Sequence, residues 1–174
     1  MAYCLVTVGT TLFDDLVVAA LEPSFAAALR AQGIAAVRVQ LGRGHVDDEP
    51  SSDPDAAWER VLHGLRYSFF RLKPSIADDV AGAALVVSHA GAGSIFEALR
   101  AGRPLAVVIN DSLADNHQQE LAEAMASRGH CVQCLPKGLA QAVPLALSPA
   151  ARLPLPPRDL SQCVRVLDRL MDAP

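Results

Sequence analysis

Three short stretches of the chain are almost continuously apolar, and they limit the possible folds more than any other feature. They read YCLVTV at 3–8, ALVVS at 84–88 and PLAVVI at 104–109. Strands of this kind are buried on both faces, which is typical of a parallel sheet covered by helices. Helical patterns alternate with them along the chain. The sequence therefore predicts an α/β fold, a Rossmann-like parallel sheet with helices on both faces.

Weaker patterns predict the remaining elements. Apolar residues recur at helical spacing over 16–29 until Gly33 ends the pattern, and a second helical run ends in the same way at Gly102. The expected helices cover 16–29, 75–81, 95–100 and 115–128, with one or two helical turns at 58–64, and the expected strands cover 35–41, 65–72 and 131–135.

Composition limits the classes of function. With 174 residues, 51% hydrophobic and 20% charged, the chain suits one packed domain. A net charge of −4 without a cluster of Lys or Arg argues against a nucleic-acid partner. The N-terminus lacks the pattern of a signal peptide, and no segment approaches the ~18 apolar residues of a membrane span. We therefore expect a cytosolic protein.

Cysteine and histidine patterns indicate neither redox nor metal chemistry. Cys131 and Cys134 form a CxxC pair, but HCVQCL reads as a strand, on which residues three apart point to opposite faces. We therefore expect structural thiols. The five histidines form no HxxxH or HExxH pair. We predict no metal site and no cofactor.

A glycine-rich loop follows the strand at 84–88. HAGAGS, residues 89–94, leads into a helix, where free backbone amides and glycines suit an anion such as phosphate. Ser94 and Glu97 also match the S-x-x-E capping box, in which the two side chains bond each other's backbone amides. Glu97 is equally suited to accept hydrogen bonds from a ribose diol. The residues alone leave these two roles open.

Two further strand ends carry candidate ligand-binding residues. Gly9, Thr10 and Thr11 follow the first strand, where either threonine is a candidate cap for the next helix. Glycine at position 9 indicates that a ligand or a neighbouring loop passes close to the backbone. Asn116, His117 and Gln118 begin a later helix, and their donors and acceptors suit a sugar.

Taken in order, these motifs resemble a known family. The matching segments are VTVGTT-x-FDDL at 6–16, LGRG at 41–44, SHAGAGS at 88–94 with Glu97, PLAVVIN at 104–110, NHQ at 116–118 and GH at 129–130. The chain resembles the cytosolic catalytic subunit of the eukaryotic UDP-N-acetylglucosamine transferase that makes the second sugar addition on dolichol diphosphate, of the glycosyltransferase family 28 C-terminal-domain type. The likeness covers roughly residues 3–135, at compatible spacing.

The resemblance implies the C-terminal, donor-binding half of a GT-B glycosyltransferase. Residues 1–152 would form the nucleotide-sugar-binding domain. The tail matches the family less well, and its own residues, LPLPPRDL at 153–160 and apolar residues at helical spacing over 160–170, predict a proline-rich strap and C-terminal helix over 153–174 that packs on this domain or on a partner. The implied reaction joins N-acetylglucosamine (GlcNAc) from UDP-GlcNAc to dolichyl-diphosphate-GlcNAc through an inverted β-1,4 link. A membrane-anchored partner subunit would supply the other GT-B half and the general base, and would recruit the chain to the cytoplasmic face of the endoplasmic reticulum.

The same resemblance implies roles for the candidate residues. Amides near Gly91, Gly93 and Ser94 would hold the diphosphate, Glu97 the ribose, and the segment 116–118 the GlcNAc hydroxyls. Gly9, Thr10 and Thr11 would close over the donor. The expected donor-binding set is completed by the loop neighbours His89 and Ala92; His117 is a weak candidate for a base. Two alternatives remain at this point: one half of a bacterial-type exopolysaccharide glycosyltransferase, and a non-catalytic scaffold that binds nucleotide sugars.

Overall fold

The computed structural model describes residues 1–46, 57–111 and 117–156, with only the backbone of residues 117 and 118. The elements are β1 (Tyr3–Thr7), α1 (Asp14–Leu21), α2 (Pro23–Ala31), β2 (Ala36–Gln40), β3 (Trp58–Leu62), β4 (Leu65–Phe70), α3 (Ala77–Gly82), β5 (Leu85–His89), α4 (Ala92–Arg100), β6 (Leu105–Val108), α5 (His117–Ser127), β7 (Val132–Cys134) and α6 (Leu139–Leu147), with 3-10 turns at Pro136–Gly138 and Pro149–Ala151.

The seven strands form one sheet in the order β3-β4-β2-β1-β5-β6-β7. Every neighbouring pair is parallel except β3 and β4. The carboxyl ends of the six parallel strands therefore lie along one edge, where ligands bind in open α/β sheets. The predicted α/β fold with a parallel sheet is confirmed, with an antiparallel strand added at one edge.

Helices cover both faces of the sheet, as predicted. Alternate residues of the central strands point to opposite sides, so that Cys4 and Val6 join one apolar core and Leu5 joins the other. Helices α1, α2 and α6 contribute to the first core, and α3, α4 and α5 to the second. All three of these β1 residues are fully buried. Burial on both faces explains why the best strands are apolar without alternation.

The edge strand β3 contradicts the helical turns predicted for 58–64. Residues 58–62 pair antiparallel with β4 through a two-residue turn at His63 and Gly64, both of which have positive φ (51° and 79°). Turns of this kind match the twist of paired strands and favour a hairpin. Trp58 stacks on Phe69 with ring centroids 5.2 Å apart. Pairing across the sheet therefore decides the structure of a segment whose own pattern was ambiguous.

Proline changes the first helical region. The single helix predicted over 16–29 is two helices, because Pro23 disfavours helical geometry at the preceding residue, and Glu22 accordingly has an extended ψ of 141°. The helix α6 has no counterpart among the predicted elements. Its sequence, LAQAVPLAL, is apolar on most sides and contains Pro144, so no polar face marks the helical period.

The CxxC pair is structural, as predicted. Cys131 packs in the core on one side of the sheet and Cys134 against the core on the other. Both thiols are free, and burial raises the pKa of each to about 11. Neither sulfur is therefore a ready thiolate at neutral pH.

The described chain ends on its own domain. The Leu153 amide donates to the Gly129 carbonyl (2.9 Å), and Leu155 packs against the second core. The predicted C-terminal helix lies outside the described residues. Within 1–46, 57–111 and 117–156, no helix has the length and apolar character needed to cross a membrane.

Candidate functional site

The loops that carry most predicted site residues meet at the carboxyl edge of the sheet. Thr7 at the end of β1 is in register with Gln40 of β2 and with Ser88 of β5. Gln40 in turn is in register with Phe70, the last residue of β4. The first loop (residues 9–11), the LGRG loop (41–44) and the glycine loop (89–94) therefore start at the same level of the sheet.

Helix α4 begins inside the glycine loop. Gly91 precedes it with an extended ψ of 130°, and the Gly91 carbonyl accepts the first helical hydrogen bond from the Ile95 amide (3.1 Å). Amides in the first turn, at Ala92, Gly93 and Ser94, have no acceptor within their own helix. They carry the partial positive charge of the helix N-terminus. Within the described part of the chain these N–H groups have no other partner, so they are available to an anion.

The capping box, one of the two roles left open for Ser94 and Glu97, does not form. Helix α4 starts at Ala92, three residues before the predicted start, so Ser94 is the third helical residue and cannot be the cap. Gly91 takes the cap position and has no side chain to bond with. Within the described part of the chain, the Glu97 carboxylate makes no hydrogen bond or ion pair. Its side chain is therefore available for a ligand.

The His89 ring lies between the first loop and the glycine loop. A Cβ atom added to Gly91 would lie 2.2 Å from His89 Nε2, and one added to Gly9 would lie 2.7 Å from His89 Cε1. Gly9 also has a φ of +63°, which favours glycine. The neighbouring group predicted to approach Gly9 is therefore the His89 side chain. Both glycines are needed for the ring to fit.

His89 is buried without a full set of partners. It is only 9% exposed, and its Nδ1 atom has no hydrogen-bond partner among the described residues. Burial lowers the pKa of His89, and a backbone group of Thr7 opposes the shift only in part. The imidazole is therefore neutral at pH 7, and it supports the two loops as a packed, uncharged ring.

Hydrogen bonds within the first loop fix its shape. The Gly9 amide donates to Thr7 Oγ1 (3.0 Å), and Thr11 Oγ1 donates to the Val8 carbonyl (2.8 Å). Helix α1 starts at Asp14 after Phe13, without a side-chain cap. The prediction that a threonine caps this helix is therefore wrong, because the Thr11 hydroxyl bonds back to its own loop. Thr10 is exposed.

The LGRG loop packs closely against the first loop and the start of α1. Gly42 has a φ of +55°, and a Cβ atom there would lie 2.6 Å from the Thr11 carbonyl oxygen. The Arg43 amide donates to the same carbonyl (3.1 Å). A Cβ atom at Gly44 would lie 2.6 Å from Asp14 Oδ1. Close packing against Thr11 and Asp14 therefore explains why positions 42 and 44 are glycine.

A cavity of about 300 Å³ opens between the first loop, the end of β2, the segment 73–76 and α4. It brings together Gly9, Thr10 and Glu97, which the sequence singled out. Its other lining residues were not predicted: Gln40, Lys73, Pro74, Ser75 and Ile76. The polar Gln40 at the end of a buried strand was a usable signal, whereas the exposed segment 73–75 gave none.

An ion-pair cluster anchors the segment that forms one wall of this cavity. Asp79 accepts from Arg38 Nη1 and from Lys73 Nζ, each at 2.7 Å, and its side chain is 8% exposed. Burial alone would raise the pKa of Asp79, but the hydrogen bonds from Lys73 and Arg38 outweigh it and hold the pKa below its ordinary value. Lys73, which lines the cavity, is therefore held to α3 through Asp79.

The remaining predicted residues are only partly described. Asn116 lies outside the described residues, and His117 and Gln118 begin α5 without described side chains. A second cavity of about 520 Å³, between α1 and the end of β7, is lined by none of the predicted site residues. In the described ranges, no group of three or more His, Cys, Asp or Glu side chains is suited to hold a metal ion.

Comparison with known proteins finds relatives of this chain. The human UDP-N-acetylglucosamine transferase subunit ALG13 is 41% identical to this chain over 129 residues, which are 74% of this chain and 11% of that protein. The chain therefore spans a small part of this relative's length.

Solved structures share the same architecture. The solution structure of ALG13 superimposes with a TM-score of 0.64 at 26% identity, over 95% of this chain and 94% of that one. MurG from Acinetobacter baumannii superimposes with a TM-score of 0.61 at 19% identity, over 98% of this chain and 50% of that one. The latter likeness shows the fold alone, and this chain covers half of that protein's chain.

A family model supplies the remaining comparison. The model for the glycosyltransferase family 28 C-terminal domain matches residues 3–162, which include the first loop, the glycine loop and every residue that lines the 300 Å³ cavity. The chain belongs to glycosyltransferase family 28, as its C-terminal-domain type.

Proposed function

We propose that this chain is the donor-binding catalytic subunit of a UDP-GlcNAc transferase. In this proposal it adds the second GlcNAc, through a β-1,4 link with inversion, to dolichyl-diphosphate-GlcNAc in the synthesis of the N-glycan precursor. One observation carries the proposal: the first turn of α4 has no side-chain cap, and Glu97 of the same helix lines a cavity at the carboxyl edge of the sheet. Family membership and the name of the human relative support the choice of sugar nucleotide.

The diphosphate would bind at the start of α4. Amides of Gly91, Gly93 and Ser94 are its donors, with Ala92 in the same turn. An added Cβ atom at Gly93 meets nothing within 4 Å, so no packing within the described chain requires glycine there. Glycine inside a helix is less stable than alanine by about 0.5–1 kcal/mol. Close approach of a ligand would explain why glycine is kept.

The nucleoside would extend from the diphosphate into the 300 Å³ cavity. Glu97 faces this cavity and would accept hydrogen bonds from the two ribose hydroxyls. The base would lie beyond the ribose, against the segment 73–76. The GlcNAc would extend the other way, toward Asn116, His117 and Gln118, with the first loop over the donor.

The reaction would need little chemistry from this chain. The 4-hydroxyl oxygen of the acceptor attacks the anomeric carbon of GlcNAc, the bond from that carbon to the phosphate oxygen breaks, and UDP leaves. Amide dipoles at α4 would stabilise the charge that develops on the departing diphosphate. A base must take the proton of the acceptor hydroxyl, and we assign it to the partner subunit.

The partner would also determine where the enzyme works. GT-B enzymes bind donor and acceptor between two domains, and this chain corresponds to one of them. We propose that a membrane-anchored subunit supplies the other and recruits the chain to the cytoplasmic face of the endoplasmic reticulum. Residues 153–174 would strap onto the domain, which the hydrogen bond from Leu153 to Gly129 supports.

Transfer assays with and without the partner test this proposal. The chain alone is expected to bind UDP-GlcNAc, and to transfer GlcNAc to dolichyl-diphosphate-GlcNAc only when the partner is added. Rapid transfer by the isolated chain would contradict the assignment of the general base and the other domain to a partner subunit. Binding of the partner without any transfer would identify a scaffold instead, and transfer to a different lipid-linked sugar alone would favour an exopolysaccharide enzyme.

A further inference from the structure

Gln40 is a buried polar side chain that the proposed reaction does not use. It ends β2, is 4% exposed and lines the cavity that also contains Glu97. Glu97, which lines the same cavity, is half-buried, and Lys73 and Ser75 are exposed. Gln40 is therefore the most buried polar residue that lines the cavity.

The orientation of the Gln40 amide is determined by Thr7. The Thr7 hydroxyl accepts a hydrogen bond from the Gly9 amide at 3.0 Å and donates one to Gln40 Oε1 at 2.5 Å. With the amide reversed, the Thr7 proton would lose its acceptor, although Thr7 is only 1% exposed. An unpaired hydroxyl proton at such a position is unfavourable. Thr7 is therefore a positioning residue that keeps the amide oxygen turned toward β1.

This orientation leaves the Gln40 amide nitrogen for the cavity. Nε2 has no hydrogen-bond partner among the described residues, and it is not one of the fully buried polar atoms. It carries two N–H donors and no acceptor. The floor of the cavity therefore offers donors to a ligand, and a ligand atom placed there must be an acceptor.

We infer that Gln40 selects the base of the nucleotide by donating a hydrogen bond to the 4-carbonyl of uracil. The inference rests on the proposed function, with ribose at Glu97 and the base inside the cavity. The 4-position lies opposite the ring atom bonded to ribose, so it is the base atom that reaches deepest. Uracil presents an acceptor there, whereas cytosine presents an amino donor. A cytosine base would therefore place two donors against each other.

Competitive titration with UDP and CDP on the full chain tests this inference. Wild type is expected to bind UDP about tenfold or more tightly than CDP, because a mismatched polar group is left unpaired. Gln40→Met keeps the length and removes the donors, so the ratio should fall to about threefold or less. Gln40→Glu places an acceptor at the floor and should shift the ratio toward CDP.

Variants of Thr7 test the positioning role by the same ratio. Thr7→Ser keeps the hydroxyl and should keep the preference for UDP, whereas Thr7→Val removes it and should lower the preference. Thermal melts show which variants are folded. If Gln40→Glu fails to fold, the Gln40→Met ratio decides.

The outcomes separate this inference from the proposed function. Binding of UDP with the same UDP to CDP ratio in wild type and Gln40→Met overturns the role of Gln40 and leaves donor binding intact. Failure of wild type to bind either nucleotide overturns both.

Discussion

Replacing Gly93 with alanine should raise stability and lower donor affinity at the same time. Gly93 is the second residue of α4, has no left-handed φ, and its added Cβ atom meets nothing within 4 Å. Alanine is favoured over glycine in helices by about 0.5–1 kcal/mol. For a domain of this size, that gain raises the Tm by about 1–4 °C.

The same methyl group should interfere with the diphosphate. Cα–Cβ bonds tilt toward the helix N-terminus, so the methyl points into the space proposed for the phosphates. Loss of hydrogen bonds to a charged group costs about 1.5–3 kcal/mol, which raises the Kd for UDP roughly 10- to 150-fold.

Calorimetric titration with UDP and a thermal melt measure both effects. Gly138→Ala is a matched control, because Gly138 has a φ of −96° and its added Cβ atom would be 3.6 Å from the Cys134 Cβ atom, an ordinary contact. It should leave the Kd unchanged. Unchanged UDP affinity in a stabilised Gly93→Ala protein would refute the phosphate site. A loss of stability would refute the claim that position 93 is free of internal packing.

Three further predictions concern charged or titrating groups. Glu97→Ala should weaken UDP binding by about 1–3 kcal/mol with little change in Tm, since its carboxylate bonds nothing in the described chain; a fall in Tm alone would indicate a structural role. Because the pKa of His89 is lowered on folding, its contribution to stability is present above about pH 6.5 and lost as the pH falls; denaturant titrations at pH 7.5 and 5.5 should show a smaller difference in His89→Gln. The pKa of Asp79 is lowered on folding, so its contribution to stability is present above about pH 4 and lost on further acidification. By denaturant titration, Asp79→Asn should lower the free energy of unfolding by about 1–3 kcal/mol at pH 7 and reduce the further loss of stability below about pH 4.

Much of the fold was predictable because strands that are buried on both faces of a sheet consist mainly of apolar residues. The strands β1, β5 and β6 are apolar apart from Thr7, Ser88 and His89 at their carboxyl ends, and their predicted bounds differ from the observed ones by one residue or less at each end. Their parallel pairing follows from the helices between them. The helix pair α1 and α2 was predicted as one element, since its apolar period continues across Pro23.

Elements that depend on distant partners were not predictable in the same way. The strand β3 is exposed at alternate positions, and only its pairing with β4 through His63 and Gly64 makes it a strand. The dipeptide HG between two segments rich in β-formers was a weak hairpin signal. In α6 an apolar run with an internal proline hides the helical period.

The site was predictable where a loop follows a clear strand. Gly9, Gly91 and Glu97 were singled out for this reason, and the structure brings Gly9 and Glu97 to one cavity. Contacts between loops were not predictable: neither the position of the His89 ring nor the Thr7–Gln40 hydrogen bond follows from spacing, because residues far apart in sequence meet there. The capping box failed because α4 begins at Ala92.

The most direct test of the central claim is the position of UDP on the chain. In an NMR titration of the isotopically labelled chain with UDP, backbone amide signals of Gly91, Gly93 and Ser94 should shift most, with smaller shifts at Glu97 and along 73–76. Shifts confined to the 520 Å³ cavity near α1, or no saturable shift at all, would contradict a diphosphate site at the start of α4.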